Sequence, residues 1–241
     1  MAMVGWVAAL APMLHSGALP PAAPPNTLPP CNRVRSGEPI PIAPVLRPPE
    51  PPIATAPGDY RHRLKTTALG WPLQATWCVW VQPAEPSLPT TGPTQRWQVA
   101  VSRALEQWQR LLPVVLVGDP ERAQVRVWRR RPPLAREASG RLRASHGRAT
   151  LTLLRLPPGE AGEAVQPQVE VLISPGQRLE AIQATALHEL GHAFGLWGHS
   201  DHPDDAMAIS PGPQPILELS ARDRATLRWL YTQNSPMGSH P

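Results

Sequence analysis

The sequence predicts an α+β domain: a mixed, twisted sheet covered by helices. Three observations carry that prediction. Short alternating apolar stretches and longer stretches with apolar residues three and four apart follow one another in the order strand, helix, strands, helix, long loop, helix. Ahead of them, the first 60 residues hold 15 of the 34 prolines and four glycines, too many for a compact core. No apolar run reaches the roughly 18 residues of a membrane-spanning helix. Of the 241 residues, about 170 therefore remain for one domain behind an extended leader.

The elements are read in order. Residues 76–81 (TWCVWV) are β-branched and aromatic and are stopped by Pro83, which predicts a strand. From Thr94 to Leu112, Trp97, Val101, Ala104, Leu105, Trp108 and Leu112 share one helical face, and Pro113 ends the helix. Residues 124–130 alternate as a strand does, and residues 149–156 and 168–174 predict two more. A second helix is expected over residues 178–194, with Leu179, Ile182, Ala186, Leu187 and Leu190 inward, and a third starts at Ser220. No internal repeat is present.

Formal net charge is +5, carried almost wholly by arginine, with Lys65 the single lysine. Nine arginines fall between Arg122 and Arg148. No aromatic-interleaved nucleic-acid motif accompanies them, so they read as a solvated strand face and loop. Weak contact with anionic surfaces is compatible with this; specific nucleic-acid readout is not expected.

The N-terminus divides into two parts. Residues 1–18 carry an apolar stretch (Val4, Trp6, Val7, Leu10, Met13, Leu14) followed by small residues, the pattern of a secretory signal, although the first charge is Arg33. An extracytoplasmic, secreted or periplasmic protein is expected. Residues 19–59 then read as a proline-rich, polyproline-like linker, residues 60–233 as the folded domain and residues 234–241 as a disordered tail. The two cysteines, Cys31 and Cys78, are too few for a disulfide-stapled miniprotein.

One segment carries chemistry: His188-Glu189-Leu190-Gly191-His192-Ala193-Phe194-Gly195-Leu196-Trp197-Gly198-His199-Ser200. On a helix His188 and His192 lie four apart, so both imidazoles leave the same face one turn from each other. Such a pair suits one zinc ion. Glu189, beside the first ligand, can accept a proton from a water that the metal has acidified, without filling a coordination position. Gly195 lets the helix stop and the chain turn, and His199 then returns as a third ligand. Three protein ligands leave a position open, the arrangement of a catalytic zinc. Asp201 and His202 are alternative third ligands.

With these residues in place the chain resembles the metzincin zinc peptidases, in particular their matrixin-like branch, whose extended pattern is HExxHxxGxxH followed by a methionine turn. Gly198 stands where that pattern has its third His, and His199 follows one residue later; Gly198 would absorb the added residue as a small bulge. Ser200 directly after His199, and Met207 in Asp205-Ala206-Met207, match the matrixin order. So does the closing helix, with Ser220 as N-cap and Asp223 in its first turn. The resemblance implies a metzincin-like mixed sheet with an active-site helix, a methionine turn under the metal and a C-terminal helix. It implies a zinc metalloendopeptidase, a hydrolase of protein or peptide substrates. His188, His192 and His199 would be ligands to one catalytic zinc and Glu189 the general base. Gly195, Met207, Ser220 and Asp223 would support them, with Asp223 bracing the methionine turn. A wall of the substrate pocket would come from the loop between Asp201 and Leu219.

Matrixins often carry an Asp- and His-rich loop for structural ions. Here residues 139–165 offer only His146, Glu160 and Glu163, so no structural calcium is expected. Cys31, in Pro30-Cys31-Asn32-Arg33, only faintly resembles a latency cysteine and is expected to be free or disulfide-linked, with Cys78 available as its partner. The domain is expected to act as a monomer. The rival reading keeps the fold and loses hydrolysis, leaving a metal-binding or anionic-surface binding module; an intact Glu189 argues against it. A proline-rich interaction protein would leave the histidines unexplained.

Overall fold

A computed structural model describes residues 31, 37–40, 46–84, 92–136, 140, 142–159, 162–209 and 212–237. The secretory signal expected over residues 1–18 lies outside them. In chain order the elements are β1 (Glu38–Pro39), β2 (Trp77–Val81), α1 (Pro93–Gln109), β3 (Val114–Leu116), β4 (Val125–Trp128), β5 (Ala135–Arg136), β6 (Leu142–Arg143), β7 (Gly147–Gly159), β8 (Gly162–Ile173), α2 (Leu179–Ala193) and α3 (Ala221–Leu230). Every predicted strand and helix is present. No described helix is long and apolar enough to cross a membrane.

Six strands form one mixed sheet in the order β1-β7-β8-β4-β2-β3. Strands β3, β2, β4 and β8 run parallel, and β7 runs antiparallel to β8. Registration puts like with like: Val79, Val125, Val169 and Leu151 form one row across four strands, and Val81, Val127, Val171 and Ala149 the next. Those rows face α1 and α2, because alternate residues of a strand share a face. Buried Trp97, Val101, Ala104, Leu105 and Trp108 from α1 meet Ile182, Ala186, Leu187 and Leu190 from α2 over them. The tryptophans are also tied by their indole N–H groups: Trp97 donates to the Ile173 carbonyl at 3.2 Å, and Trp108 to the Leu187 carbonyl at 3.2 Å. The second bond anchors α1 to the turn of α2 that carries His188.

Four strands were not foreseen: β5 and β6, which pair only with each other, and two of the main sheet, β1 and β3. Strand β3 follows Pro113 with only three residues, too few for alternation to show. Strand β1 comes from within the proline-rich segment and pairs with β7, Glu38 opposite Arg155 and Pro39 opposite Leu154. Proline at a sheet edge is tolerated because its missing N–H can face away from the ladder. Gly37 is required there: a Cβ would lie 2.6 Å from the Arg155 carbonyl oxygen.

The described part of the linker expected over 19–59 is thus docked on the domain. Cys31 is disulfide-bonded to Cys78, both are buried, and Arg47 pairs with Thr66. The bridge spans 47 residues of sequence, and closing such a loop restricts the unfolded chain. Replacing both cysteines by serine is expected to destabilise the domain by about 2–4 kcal/mol in denaturant unfolding. Metal uptake should be unchanged, since neither cysteine belongs to the histidine cluster described below.

Of the tail expected to be disordered over residues 234–241, residues 234–237 are described and contact the domain, and residues 238–241 lie outside the described residues. Met237 is buried, its carbonyl accepts from Gln74 Nε2 at 2.6 Å, and Ser235 Oγ donates to the Trp71 carbonyl at 2.6 Å. These contacts satisfy polar groups of residues 71–74, which lie beside the C-terminus of α2. Several arginines of the basic segment are likewise engaged within the fold. Arg122 donates to the Cys31 carbonyl, Arg126 to that of Pro120, Arg129 to Thr94 Oγ1 and Arg148 to the Pro133 carbonyl.

Candidate metal centre

Helix α2 begins without a side-chain cap and ends in a defined one. Gly195 follows the C-cap Phe194 with φ +105°, its N–H donates to the His192 carbonyl at 3.0 Å, and the Leu196 N–H donates to that of Gly191 at 2.9 Å. This is a Schellman closure, and positive φ at its pivot favours glycine. A Cβ at Gly195 would also meet Leu73 Cδ2 at 2.5 Å. The chain therefore reverses within a few residues and returns His199 to the open side of the helix.

The donor atoms of His188, His192 and His199 all lie within 4.8 Å of one another, and they are the metal-competent group found among the described residues. Two of the rings are held from behind. His188 Nδ1 is 2.8 Å from the Ala206 carbonyl oxygen, and His192 Nδ1 is 2.8 Å from that of Leu196. A carbonyl there requires the ring N–H at Nδ1, which leaves each Nε2 with its lone pair available. Burial holds the His188 and His192 imidazoles below their ordinary range. Burial and the neighbouring His188 bring His199 to about 4. All three are neutral at pH 7, the form that binds a metal.

Glu189 projects into the same cleft and is closely enclosed. Burial pushes its carboxyl up to about 7, while the Ala149 backbone N–H and the Arg148 guanidinium act in the opposite direction. Gly147, at the start of β7, is in contact: a Cβ there would lie 2.6 Å from Glu189 Oε1 and 2.5 Å from Thr185 Cγ2. The cleft has a volume of about 690 Å³. Its walls include Thr185 of α2, Gly147, and Ala206, Ala208, Pro213 and Ile216 of the loop expected to form one side.

Beneath the histidines, Met207 is fully buried. Its Sδ sits 2.3 Å from where a Cβ on Gly191 would be, so the methionine packs directly on the helix between its two ligating turns. Asp223 is hydrogen-bonded to this turn. Its carboxylate accepts from the Ala206 N–H at 2.8 Å, the Met207 N–H at 3.4 Å and the Ser220 N–H at 2.9 Å. Ser220 Oγ in turn accepts from the Asp223 N–H at 3.0 Å, which completes a capping box. A continuous path results: Asp223 fixes the Ala206 amide, and the Ala206 carbonyl fixes His188.

The alternative third ligands are elsewhere. Asp201 is exposed and paired with Arg222 at 2.7 Å and Arg63 at 3.3 Å, and His202 stands beside Asp204 outside the cluster. Gly198 is needed for a reason other than the expected bulge. Its φ is not positive; instead a Cβ would come 2.4 Å from the Arg63 carbonyl oxygen, where residues 63–65 press on the loop. Of the residues weighed for calcium, His146 is exposed at the cleft, whereas Glu160 and the Glu163 side chain lie outside the described residues.

Several supporting residues were not anticipated. Tyr60 is completely buried and donates its hydroxyl to Asp223 at 2.7 Å. Asp205 is buried against Ser200 Oγ, Ser220 Oγ and Arg222. Tyr231 accepts from Trp77 Nε1 at 2.7 Å and donates to the Phe194 carbonyl at 3.0 Å, closing the helix end. Gly191 had a signal in the sequence, because glycine inside a helix costs about 1 kcal/mol and invites a packing reason.

A mixed sheet carrying one antiparallel strand beside a helix, with three convergent imidazoles, is compatible with a metzincin-like fold and defines a candidate metal site. Neither a scan against protein-family models nor a search of curated proteins finds a match to this chain.

Proposed function

We propose that the chain is a zinc-dependent endopeptidase of the matrixin-like metzincin type. One observation carries this reading: three imidazoles converge, and two of them, His188 and His199, line the same cleft as a buried carboxylate, Glu189, that is not one of the converging donors. Three nitrogen donors fit zinc, and its chemistry there is Lewis acidity toward a carbonyl and a lowered water pKa of about 7. His188, His192 and His199 would hold the ion. Glu189 would take the proton of the attacking water and pass it to the leaving amine. The start of β7 flanks Glu189, so an extended peptide would pair its backbone with that strand and lie across the cleft. The residue after the cleaved bond would enter the cleft between α2 and the 206–216 loop. An extracytoplasmic setting is part of the proposal, supported by the Cys31–Cys78 disulfide.

The test is metal analysis of the purified full chain together with a generic peptide cleavage assay before and after chelation. One zinc per chain, cleavage lost on chelation and restored by zinc is the expected result. Zinc uptake with every peptide left intact would instead indicate a metal-holding module without hydrolysis.

A further inference from the structure

Trp197 lies in the lengthened stretch between Gly195 and His199, and its surroundings are specific. The side chain is 6% exposed. Its indole stacks on the His192 imidazole, with ring centroids 5.5 Å apart and planes 14° from parallel. The same ring of His192 meets His188 and His199 edge-on, at 4.8 Å and 4.9 Å. One face of His192 is therefore covered by Trp197, while its Nδ1 is bonded to the carbonyl of Leu196, the preceding residue. Both restraints on this ring come from two consecutive residues.

The loop that supplies them is itself clamped. The Lys65 N–H donates to the Trp197 carbonyl at 2.6 Å, and Gly198 is held against the Arg63 carbonyl. The indole N–H is buried and has no hydrogen-bond partner among the described residues. An unpaired buried N–H costs free energy. A side chain kept only to fill apolar space would avoid that cost as Leu, whereas the ring here lies flat against His192.

We propose that Trp197 is a positioning residue for the metal centre: its stacked indole fixes the plane of His192, aims Nε2 at the ion and shields that ligand from water. The inference rests on the reading of the three histidines as ligands of one ion. Two variants of the full chain separate its parts: Trp197→Phe keeps a stacking ring, and Trp197→Leu keeps apolar bulk without one. Zinc affinity would be measured by competition with a chromogenic chelator, and ligand geometry by the visible absorption of the Co²⁺ form. Loss of a group that orients a ligand typically weakens metal binding about 10–100-fold, so Trp197→Leu should fall in that range with an altered Co²⁺ spectrum. Trp197→Phe should stay within about threefold of the parent, with the parent's spectrum.

Equal affinity and spectrum in Trp197→Leu would overturn the inference, and so would a loss in Trp197→Phe as large as that in Trp197→Leu. A parent that takes up no zinc or Co²⁺ would overturn the metal reading and this inference together. Should Trp197→Leu not fold, NMR of the zinc-loaded parent decides the matter. Ring protons of His192 shifted upfield of those of His188 and His199 support stacking in solution, and unshifted ones overturn it.

Discussion

Glu189→Gln should lower peptide cleavage by at least about 10²-fold and leave the zinc content unchanged, because general-base catalysis is typically worth about 10²–10⁴-fold. The amide keeps the size of the carboxyl and a hydrogen bond to water but cannot accept a proton at neutral pH. None of the convergent donors is altered, since these are the three imidazoles. The fold should be spared as well. The Glu189 carboxyl is buried against Gly147 and its acceptor role toward the Ala149 N–H passes to the amide oxygen. Metal analysis, circular dichroism and the cleavage assay together check this outcome. A variant that retains zinc and still cleaves at near the parent rate would remove Glu189 from the mechanism.

The second large effect concerns His199. His199→Ala should weaken zinc binding by more than the roughly 10–100-fold that loss of an orienting partner costs, because a ligand itself is removed. His202→Ala and Asp201→Ala should leave affinity close to that of the parent. Asp201 is occupied by two arginines at the surface, and His202 stands outside the cluster. Chelator competition on the three variants reads the difference. Release of the metal by His202→Ala or Asp201→Ala, with His199→Ala unaffected, would mean that the 199–202 segment is arranged differently in the metal-loaded protein.

Much of the site could be read along the chain because its parts are close in sequence and obey helical spacing. His188, Glu189 and His192 follow from a four-residue interval, Gly195 from the need to end a helix, and Ser220 with Asp223 from a capping pattern. Strands β2, β4, β7 and β8 announced themselves by β-branched runs. Strands β1 and β3 did not, because two or three residues carry no period and their pairing is decided by the neighbouring edge. Gly198 shows the limit from another direction. Its place invited a bulge, whereas its reason is a carbonyl from residue 63 that no local pattern reveals.

What the sequence by itself determined is the set of elements, the two-histidine helix face with its neighbouring carboxylate, and the glycine stop that makes a third ligand possible. These depend on short-range geometry, which the chain carries locally. What only the tertiary structure decided is which later histidine joins the first two, and how the rings are held. Asp223 reaches Ala206, Ala206 reaches His188, Tyr60 reaches Asp223, and Trp197 covers His192. It also decided that Cys31 and the strand after it belong to the domain. The longest of these four contacts, Tyr60 to Asp223, joins residues 163 positions apart. They arise where packing brings surfaces together, and buried polar groups there must find partners wherever the chain supplies them.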